Sequence, residues 1–196
     1  SLSTAADNTT NKYINEGEVS ITGGDDTSRA LSISYGTIHN KNLISVEKGI
    51  GAYGINGSKI LNDTNANINI TGANKGIGIL GYASGEHLDK YGTDKKITDG
   101  TLTAADKLLE IENKGNITVA GKEGIGIYSK GGTVKLLTGS TLNVGTDEGV
   151  GVYTVGNAQN VYSSGNINLA ENSFGFVNVG NNNMIESNSN VNLYNN

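Results

Sequence analysis

The sequence predicts an all-β protein, a right-handed parallel β-helix (β-solenoid) with rungs of about 24–25 residues and one inserted loop. Two repeated motifs carry this prediction. An apolar–polar–apolar motif begins at positions 19, 44, 68, 117, 142, 167 and 191, so its steps are 25, 24, 49, 25, 25 and 24 residues. A second motif alternates glycine with apolar residues, as in Gly124-Ile125-Gly126-Ile127-Tyr128. This alternation has the period of a β-strand and not of an α-helix.

The composition agrees with a thin, linear core. Of the 196 residues 35% are hydrophobic, 29 are glycine, and none is proline, cysteine or tryptophan. A repeat fold needs few apolar residues per rung, because each rung packs only on its neighbours. Leucine-rich repeats have a similar length, but they require several leucines and a fixed Asn or Cys per unit, which these repeats lack.

The charge pattern narrows the choice of partners. The net charge is −5, and the 14 lysines and arginines are scattered, which argues against a nucleic-acid partner. No run reaches the roughly 18 apolar residues that a membrane-spanning helix needs. The lack of cysteine excludes disulfides and thiolate metal sites.

Each rung is expected to contain three short strands. The apolar–polar–apolar motif forms the first and the glycine motif forms the second, whereas a weaker third strand is centred near Ile60, Ile111, Val134, Val161 and Ile185. Asn and Gly between the strands tolerate positive φ at the corners. The apolar residues expected to point inward from the second strand are Ile50, Ile77, Ile79, Ile125, Ile127, Val150, Val152, Phe174 and Phe176. In the first rung, Leu31 and Ile33 are expected inside, with Ala30 and Ser32 in the glycine places.

The alternating glycines are then expected on the outer face, with Tyr53, Tyr128 and Tyr153 at its edge. One interpretation is a flat wall on which the tyrosines stack on one another. The other is a shallow groove, floored by backbone and edged by aromatic rings, that suits a sugar or an extended peptide. We therefore treat the three tyrosines as candidate ligand-binding residues.

The chain is expected to divide into residues 1–16, an N-terminal cap or cut rung, and residues 17–196, the β-helix. The doubled step of 49 residues indicates an insertion at about 84–107, which we interpret as a charged loop and not as a hidden rung. A capping-box-like start at Thr103 predicts a short helix over 104–109. Insertions in solenoids often map to the binding face. Glu86, Asp89, Lys90 and Tyr91 are therefore candidate contacts with a host surface, the alternative being a tolerated insertion without a partner.

No catalytic constellation is visible, and we expect no enzyme activity, no cofactor and no metal. The two histidines, His39 and His87, lie a rung or more apart and lack an adjacent Ser or Cys. The glycine pairs do not open helices, so they are not phosphate loops. Some β-helices cleave glycans with acidic residues on one face. The acidic residues here that are expected near corners, where they keep the rod soluble, are Asp63, Glu112, Asp147, Glu148 and Glu171.

The motifs Lys75-Gly76-Ile77-Gly78-Ile79 and Glu123-Gly124-Ile125-Gly126-Ile127-Tyr128, the second preceded by Gly115-Asn116-Ile117-Thr118-Val119, resemble the passenger repeats of large type V autotransporter adhesins of fusobacteria. The resemblance covers roughly residues 17–196. It implies a secreted, non-enzymatic passenger on the bacterial surface, anchored by a C-terminal outer-membrane β-barrel of the full-length protein. It further implies attachment to host cells or other bacteria through a surface receptor, either protein or glycan. The alternative function is a glycan-binding or glycan-active β-helix.

Overall fold

The chain winds through three parallel β-sheets. The computed structural model describes residues 11–72, 74–83, 109–145, 147–157 and 159–194, and within these ranges it contains strands and turns but no helix. Sheet A contains β1 (Lys12–Asn15), β4 (Thr37–Asn40), β7 (Lys59–Asn62), β10 (Glu110–Asn113), β13 (Thr133–Leu136), β16 (Asn160–Ser163) and β19 (Met184–Ser187). Sheet B contains β2 (Glu18–Ile21), β5 (Leu43–Val46), β8 (Asn67–Ile70), β11 (Asn116–Val119), β14 (Thr141–Val144), β17 (Asn166–Ala170) and β20 (Asn190–Tyr194). Sheet C contains β3 (Arg29–Ser34), β6 (Ile50–Ile55), β9 (Ile77–Tyr82), β12 (Ile125–Lys130), β15 (Val150–Val155) and β18 (Phe174–Val179).

Successive strands belong to successive sheets, and each strand pairs in parallel with the strand one rung away. Ile111 of β10, for example, is aligned with Ile60 of β7 on one side and Val134 of β13 on the other. The predicted parallel β-helix, with three strands per rung, is therefore confirmed. The weak third strand of the sequence is the strand of sheet A.

The inserted segment adds no strand between its flanking rungs. β7 pairs directly with β10, β8 with β11, and β9 with β12, although the insertion separates β9 from β10 in the sequence. The insertion therefore does not separate the two flanking rungs, as predicted, whereas its own expected form as a charged loop falls on residues outside the described ranges. The helix expected over 104–109 lies outside the described residues, except for Leu109, whose side chain is buried in the core.

Columns of aliphatic side chains fill the interior. In sheets A and B the second residue of each four-residue strand motif points inward, as Ile38, Ile60 and Ile111 do in sheet A. Neighbouring rungs place these side chains about 4.8 Å apart, so they stack continuously. Each buried Ile, Leu or Val contributes roughly 1.5–3 kcal/mol of transfer free energy. Columns of these residues therefore stabilise the rod although each rung contains few of them.

The glycines of sheet C face the interior, so their predicted outward orientation is wrong. A Cβ atom added at Gly78 would lie 2.5 Å from Cγ2 of the core residue Ile117 and 2.6 Å from the carbonyl oxygen of Gly126 in the next rung. At Gly126 it would meet Leu142 and lie 2.7 Å from the carbonyl oxygen of Gly151. Glycine is needed here because stacking brings the backbone of the next rung to where a side chain would begin.

The residue after each of these glycines also points inward, so the strand breaks its alternation at this point. Ile127 is 0% exposed and belongs to the core, whereas Ile125, on the other side of Gly126, is only half-buried. The inward prediction is confirmed for Ile79, Ile127, Val152 and Phe176. It is wrong for Ile50, Ile77, Ile125, Val150 and Phe174, which lie on the outer face of sheet C.

The first rung follows the same rule. Leu31 is buried in the core and Ile33 packs against it, as expected. Ala30, in the place of the first glycine, also packs against the core, whereas Ser32 is exposed.

Positive φ angles recur at the corner before the glycine motif. Lys75, Glu123, Glu148 and Asn172 have φ of 56°, 55°, 61° and 58°. Asparagine and glycine occupy other corners, as at Asn56 and Gly57. The positive φ predicted at the corners is therefore confirmed, and lysine and glutamate adopt it there as well as asparagine and glycine.

Candidate functional site

Stacked tyrosines lie on the outer face of sheet C. Tyr128 and Tyr153 are aligned in register, with ring centroids 5.4 Å apart and an interplanar angle of 9°. Tyr82 continues the series, with its ring 6.0 Å from Tyr128 and 6.3 Å from Tyr53. The structure thus brings the three predicted tyrosines into one aromatic row, through Tyr82, which sequence reasoning did not include.

Tyr53 lies inside this outer cluster and not at its edge. Its side chain is 2% exposed and packs with Ile50, Ile55 and Leu80 in a second hydrophobic cluster, separate from the core. The Arg29 guanidinium lies over its ring at 4.0 Å from the centroid, a cation–π contact. Tyr128 and Tyr153 are only half-buried, so they are the more accessible members of the row.

The four candidates in the insertion, Glu86, Asp89, Lys90 and Tyr91, lie outside the described residues. They stay predictions. The outer face of sheet C and the loop are therefore not joined into one site here.

An inner asparagine ladder, formed by Asn15, Asn40, Asn62 and Asn113, runs along the corner between sheets A and B. Each of the first three donates from Nδ2 to Oδ1 of the next over 2.8 Å. Each also donates to a backbone carbonyl, as Asn62 does to Asn116 O at 3.2 Å. All four side chains are buried, and these bonds satisfy the donors of the first three amides, while Asn113 Nδ2 donates to Gly115 O over 3.1 Å. We did not predict this ladder, although an Asn at the end of the third strand in successive rungs was its sequence signal.

A second set of short polar side chains covers the outer face of sheet B over five rungs. We call it the neutral face, because none of its side chains is charged. Its members are Asn67, Asn69, Asn116, Thr118, Thr141, Asn143, Asn166, Asn168, Asn190 and Asn192. They form two columns, since outward residues along a strand are two positions apart. The polar residue of the apolar–polar–apolar motif was the signal for one of these columns.

Hydrogen bonds link one column into an outer ladder, formed by Thr118, Asn143, Asn168 and Asn192. Asn143 Nδ2 donates to Thr118 Oγ1 over 3.1 Å, Asn168 to Asn143 Oδ1 over 2.7 Å, and Asn192 to Asn168 Oδ1 over 2.9 Å. In the other column, Asn116 donates to Asn67 and Asn190 to Asn166, both over 3.2 Å. In the part of the chain that the structure describes, each of the five donating amides uses one of its two N–H groups in these bonds.

A shallow groove of about 130 Å³ opens beside the outer ladder. Its lining residues are Asn143, Val144, Gly145, Asn168, Ala170 and Tyr194, the last of which is 52% exposed. The groove therefore combines amide groups with one aromatic ring.

Charged side chains concentrate on the outer face of sheet A. Glu110 lies 2.9 Å from Lys135 Nζ and 3.5 Å from Lys59 Nζ, so it bridges three successive rungs. Burial raises the pKa of Glu110, but the hydrogen bond from Lys135 and the charges of both lysines outweigh it and lower the pKa. The hydrogen bond from His39, 2.9 Å from Asp63 Oδ2, likewise lowers the pKa of Asp63.

Two of the other acidic residues considered above, Glu112 and Asp147, each form an ion pair with a lysine. Glu112 pairs with Lys114 at 2.9 Å and Asp147 with Lys122 at 3.2 Å. The Asn172 amide and Lys122 lower the pKa of Asp147. Within the described ranges no group of three or more His, Cys, Asp or Glu side chains is placed to hold a metal ion.

Among the described residues, no helix combines the length and apolarity that crossing a membrane requires. No protein-family model, no curated protein and no solved structure matches the chain.

Proposed function

We propose that this chain is a non-enzymatic segment of a secreted autotransporter passenger, displayed at the bacterial cell surface, that mediates attachment to host cells or to other bacteria. The observation that carries the proposal is the regular rod. Its strands keep one register from rung to rung in three parallel sheets. Such a rod holds its outer faces in a fixed, extended array, because each rung packs only on its neighbours.

The chemistry of the outer faces supports attachment. Sheet B presents the neutral face and sheet C the aromatic row, and both extend over several rungs. Repeated weak contacts along one rigid surface add up to strong attachment, because the later contacts form at high effective concentration. The same rod can serve as a stalk and as a binding module.

The charged face of sheet A does not favour the glycan-cleaving alternative. Glu110 and Glu112 both point outward from β10, two residues apart. A glycosidase acid needs a raised pKa, whereas the lysines beside Glu110 lower its pKa. A binding function therefore fits the described carboxylates better than hydrolysis.

The proposal is tested with microspheres coated with the 196-residue chain, applied to epithelial monolayers and to bacterial cells. We expect saturable attachment, and none for microspheres coated with the Ile127→Asp chain, in which a buried charge disrupts the core. Equal attachment of the two would contradict the proposal, since an unfolded chain lacks the ordered faces.

A chain lacking residues 84–107 separates the insertion from the rod. If Glu86, Asp89, Lys90 and Tyr91 form the contact, the deletion abolishes attachment and leaves the melting temperature of the rod unchanged. If attachment persists, the faces of the rod carry it.

A further inference from the structure

We propose that the neutral face of sheet B binds an uncharged glycan chain that lies along the rod axis, with the groove beside Tyr194 as one sugar subsite. The inference deepens the proposed function, on which it rests for its biological setting, by naming a surface and a ligand class. It is carried by the hydrogen-bond capacity, the charge and the spacing of this face.

The amides of the outer ladder can form more hydrogen bonds than the ladder itself uses. An asparagine amide has two N–H donors and an oxygen with two acceptor positions. In the outer ladder, Asn143 and Asn168 each use one donor and one acceptor position along the column. In the part of the chain described here, each amide thus retains one donor and one acceptor position beyond the column, and both side chains are half-buried on the outer face of the sheet.

The side chains of the neutral face carry no charge. The ten side chains of the neutral face are amides and hydroxyls, so they offer no counter-charge to an anionic or cationic ligand. A charged group brought onto this surface would lose hydration without gaining a partner ion. An apolar partner is also disfavoured, because it would leave the amide donors and acceptors without water.

A polyhydroxylated ligand meets both conditions. Each hydroxyl is a donor and an acceptor, so it can bond to the remaining N–H of one amide and the remaining acceptor of its neighbour. The repeat of about 4.8 Å between rungs presents the same pair of groups again and again. A linear polymer can use that repetition, whereas a single sugar can use only one or two rungs.

The groove beside Tyr194 offers a sugar both polar and apolar contacts. Asn143 and Asn168 contribute amide groups to its lining, and Tyr194 contributes an aromatic ring. A sugar ring has C–H faces and a rim of hydroxyls, and a tyrosine ring packs on such a face while its hydroxyl stays hydrated. The volume of about 130 Å³ is that of a shallow surface subsite and not of an enclosed pocket.

The test uses a panel of immobilised neutral oligosaccharides, made of glucose, mannose or galactose units, together with sialylated and sulfated counterparts. We expect the 196-residue chain to bind neutral members and to prefer hexasaccharides to monosaccharides. The double variant Asn143→Ala/Asn168→Ala should bind at least about tenfold more weakly. Asn160→Ala, which removes an asparagine from sheet A at the same height of the rod, should change the affinity less than about twofold.

Circular dichroism melts of both variants keep the test interpretable, since outward substitutions should leave the fold intact. Binding of acidic glycans only, no binding to any member, or equal binding by the double variant and Asn160→Ala would overturn the inference. Attachment of coated microspheres to cells, without glycan binding, would overturn it too and leave the proposed function standing. Glycan binding without attachment to cells would support the inference and contradict the proposed function.

Discussion

The rod contains two asparagine ladders, one inside the corner of sheets A and B and one outside sheet B. In both, Nδ2 of one residue donates to the side-chain oxygen of the residue one rung away, over 2.7–3.1 Å. The inner amides also donate to backbone carbonyls and are buried. The outer amides have solvent on one side. The same residue in the same stacked arrangement is therefore fully bonded on one side of the wall and only partly bonded on the other.

The difference separates stability from recognition. A buried amide that loses its partner costs free energy, because water cannot replace the bond. A solvent-facing amide that loses its partner is hydrated at once. We therefore expect inner substitutions to lower stability, and outer substitutions to change binding while the fold persists.

The largest effect is expected where charge enters the core. Ile127→Asp places a carboxylate at a 0% exposed position and should cost roughly 5 kcal/mol or more of unfolding free energy. Ile125→Asp, on the outer side of the same strand, should cost about 1 kcal/mol. Urea denaturation followed by circular dichroism measures both losses. Equal losses would show that the inward and outward residues of this strand have been assigned incorrectly.

The ladders themselves give the next effect. Asn62→Ala removes a 0% exposed side chain and leaves Asn40 Nδ2, Asn113 Oδ1 and Asn116 O without their partner, which should cost about 3 kcal/mol. Asn143→Ala in the outer ladder should change the free energy of unfolding by no more than about 0.5 kcal/mol. The same denaturation experiment compares the two, and a loss as large for Asn143→Ala would remove the distinction between the ladders.

Replacing a glycine that faces the interior should lower stability more than replacing a glycine beside the outer groove. Gly126→Ala forces a methyl group against Leu142 and the Gly151 carbonyl oxygen, which should cost about 2 kcal/mol. Gly145→Ala beside the outer groove meets its nearest atom, Ala120 Cα, at 3.4 Å, an ordinary contact. Thermal melts should show a clear drop for the first variant only. A matching drop for both would mean that glycine serves backbone freedom at these places and not close stacking.

The smallest effect is the pH dependence of an outer ion pair. The pKa of Glu110 is lowered in the folded state, so its stabilisation is present above the ordinary pKa of about 4.3 and is lost as the pH falls through the lowered value. Because Glu110 and its lysines are partly exposed, solvent screening limits the contribution to about 0.5 kcal/mol. Glu110→Gln should therefore be slightly less stable than the parent chain at pH 6 and equal to it at pH 2.

Glu186→Gln serves as the control for this prediction, since the structure shows no ion pair for Glu186 among the described residues. It should be indistinguishable from the parent chain at both values. A larger stability difference between Glu110→Gln and the parent chain at pH 2 than at pH 6 would contradict this pH dependence.

The sequence predicted the β-solenoid because its repeat period is visible in the apolar residues, which are buried in every rung. It also located the insertion, since the step of 49 residues doubles a step that is otherwise 24 or 25. Alternation could not predict which residues of sheet C face the interior. There, Gly126 and Ile127 both face the interior, and alternation assumes that neighbouring residues face opposite sides.

The asparagines show the same limit for the candidate surfaces. Asn62 and Asn143 look alike in the sequence, and both follow the repeat. Their roles differ because one stands at the end of a strand, where the chain turns inward, and the other stands in mid-strand. Both kinds of position recur with the repeat, but only the structure shows which asparagine is buried, so the tyrosines were the more visible candidates in the sequence.

The division between an inner structural ladder and an outer binding ladder is tested most directly by NMR of the ¹⁵N-labelled chain, titrated with the neutral hexasaccharides. The side-chain NH₂ signals of all asparagines appear in one spectrum, so both ladders are observed together. We predict that the signals of Asn143, Asn168 and Asn192 shift with saturable dependence on the ligand, whereas those of Asn40, Asn62 and Asn113 stay in place. Signals that do not move in the outer ladder, or shifts confined to Tyr128 and Tyr153 on sheet C, would contradict it.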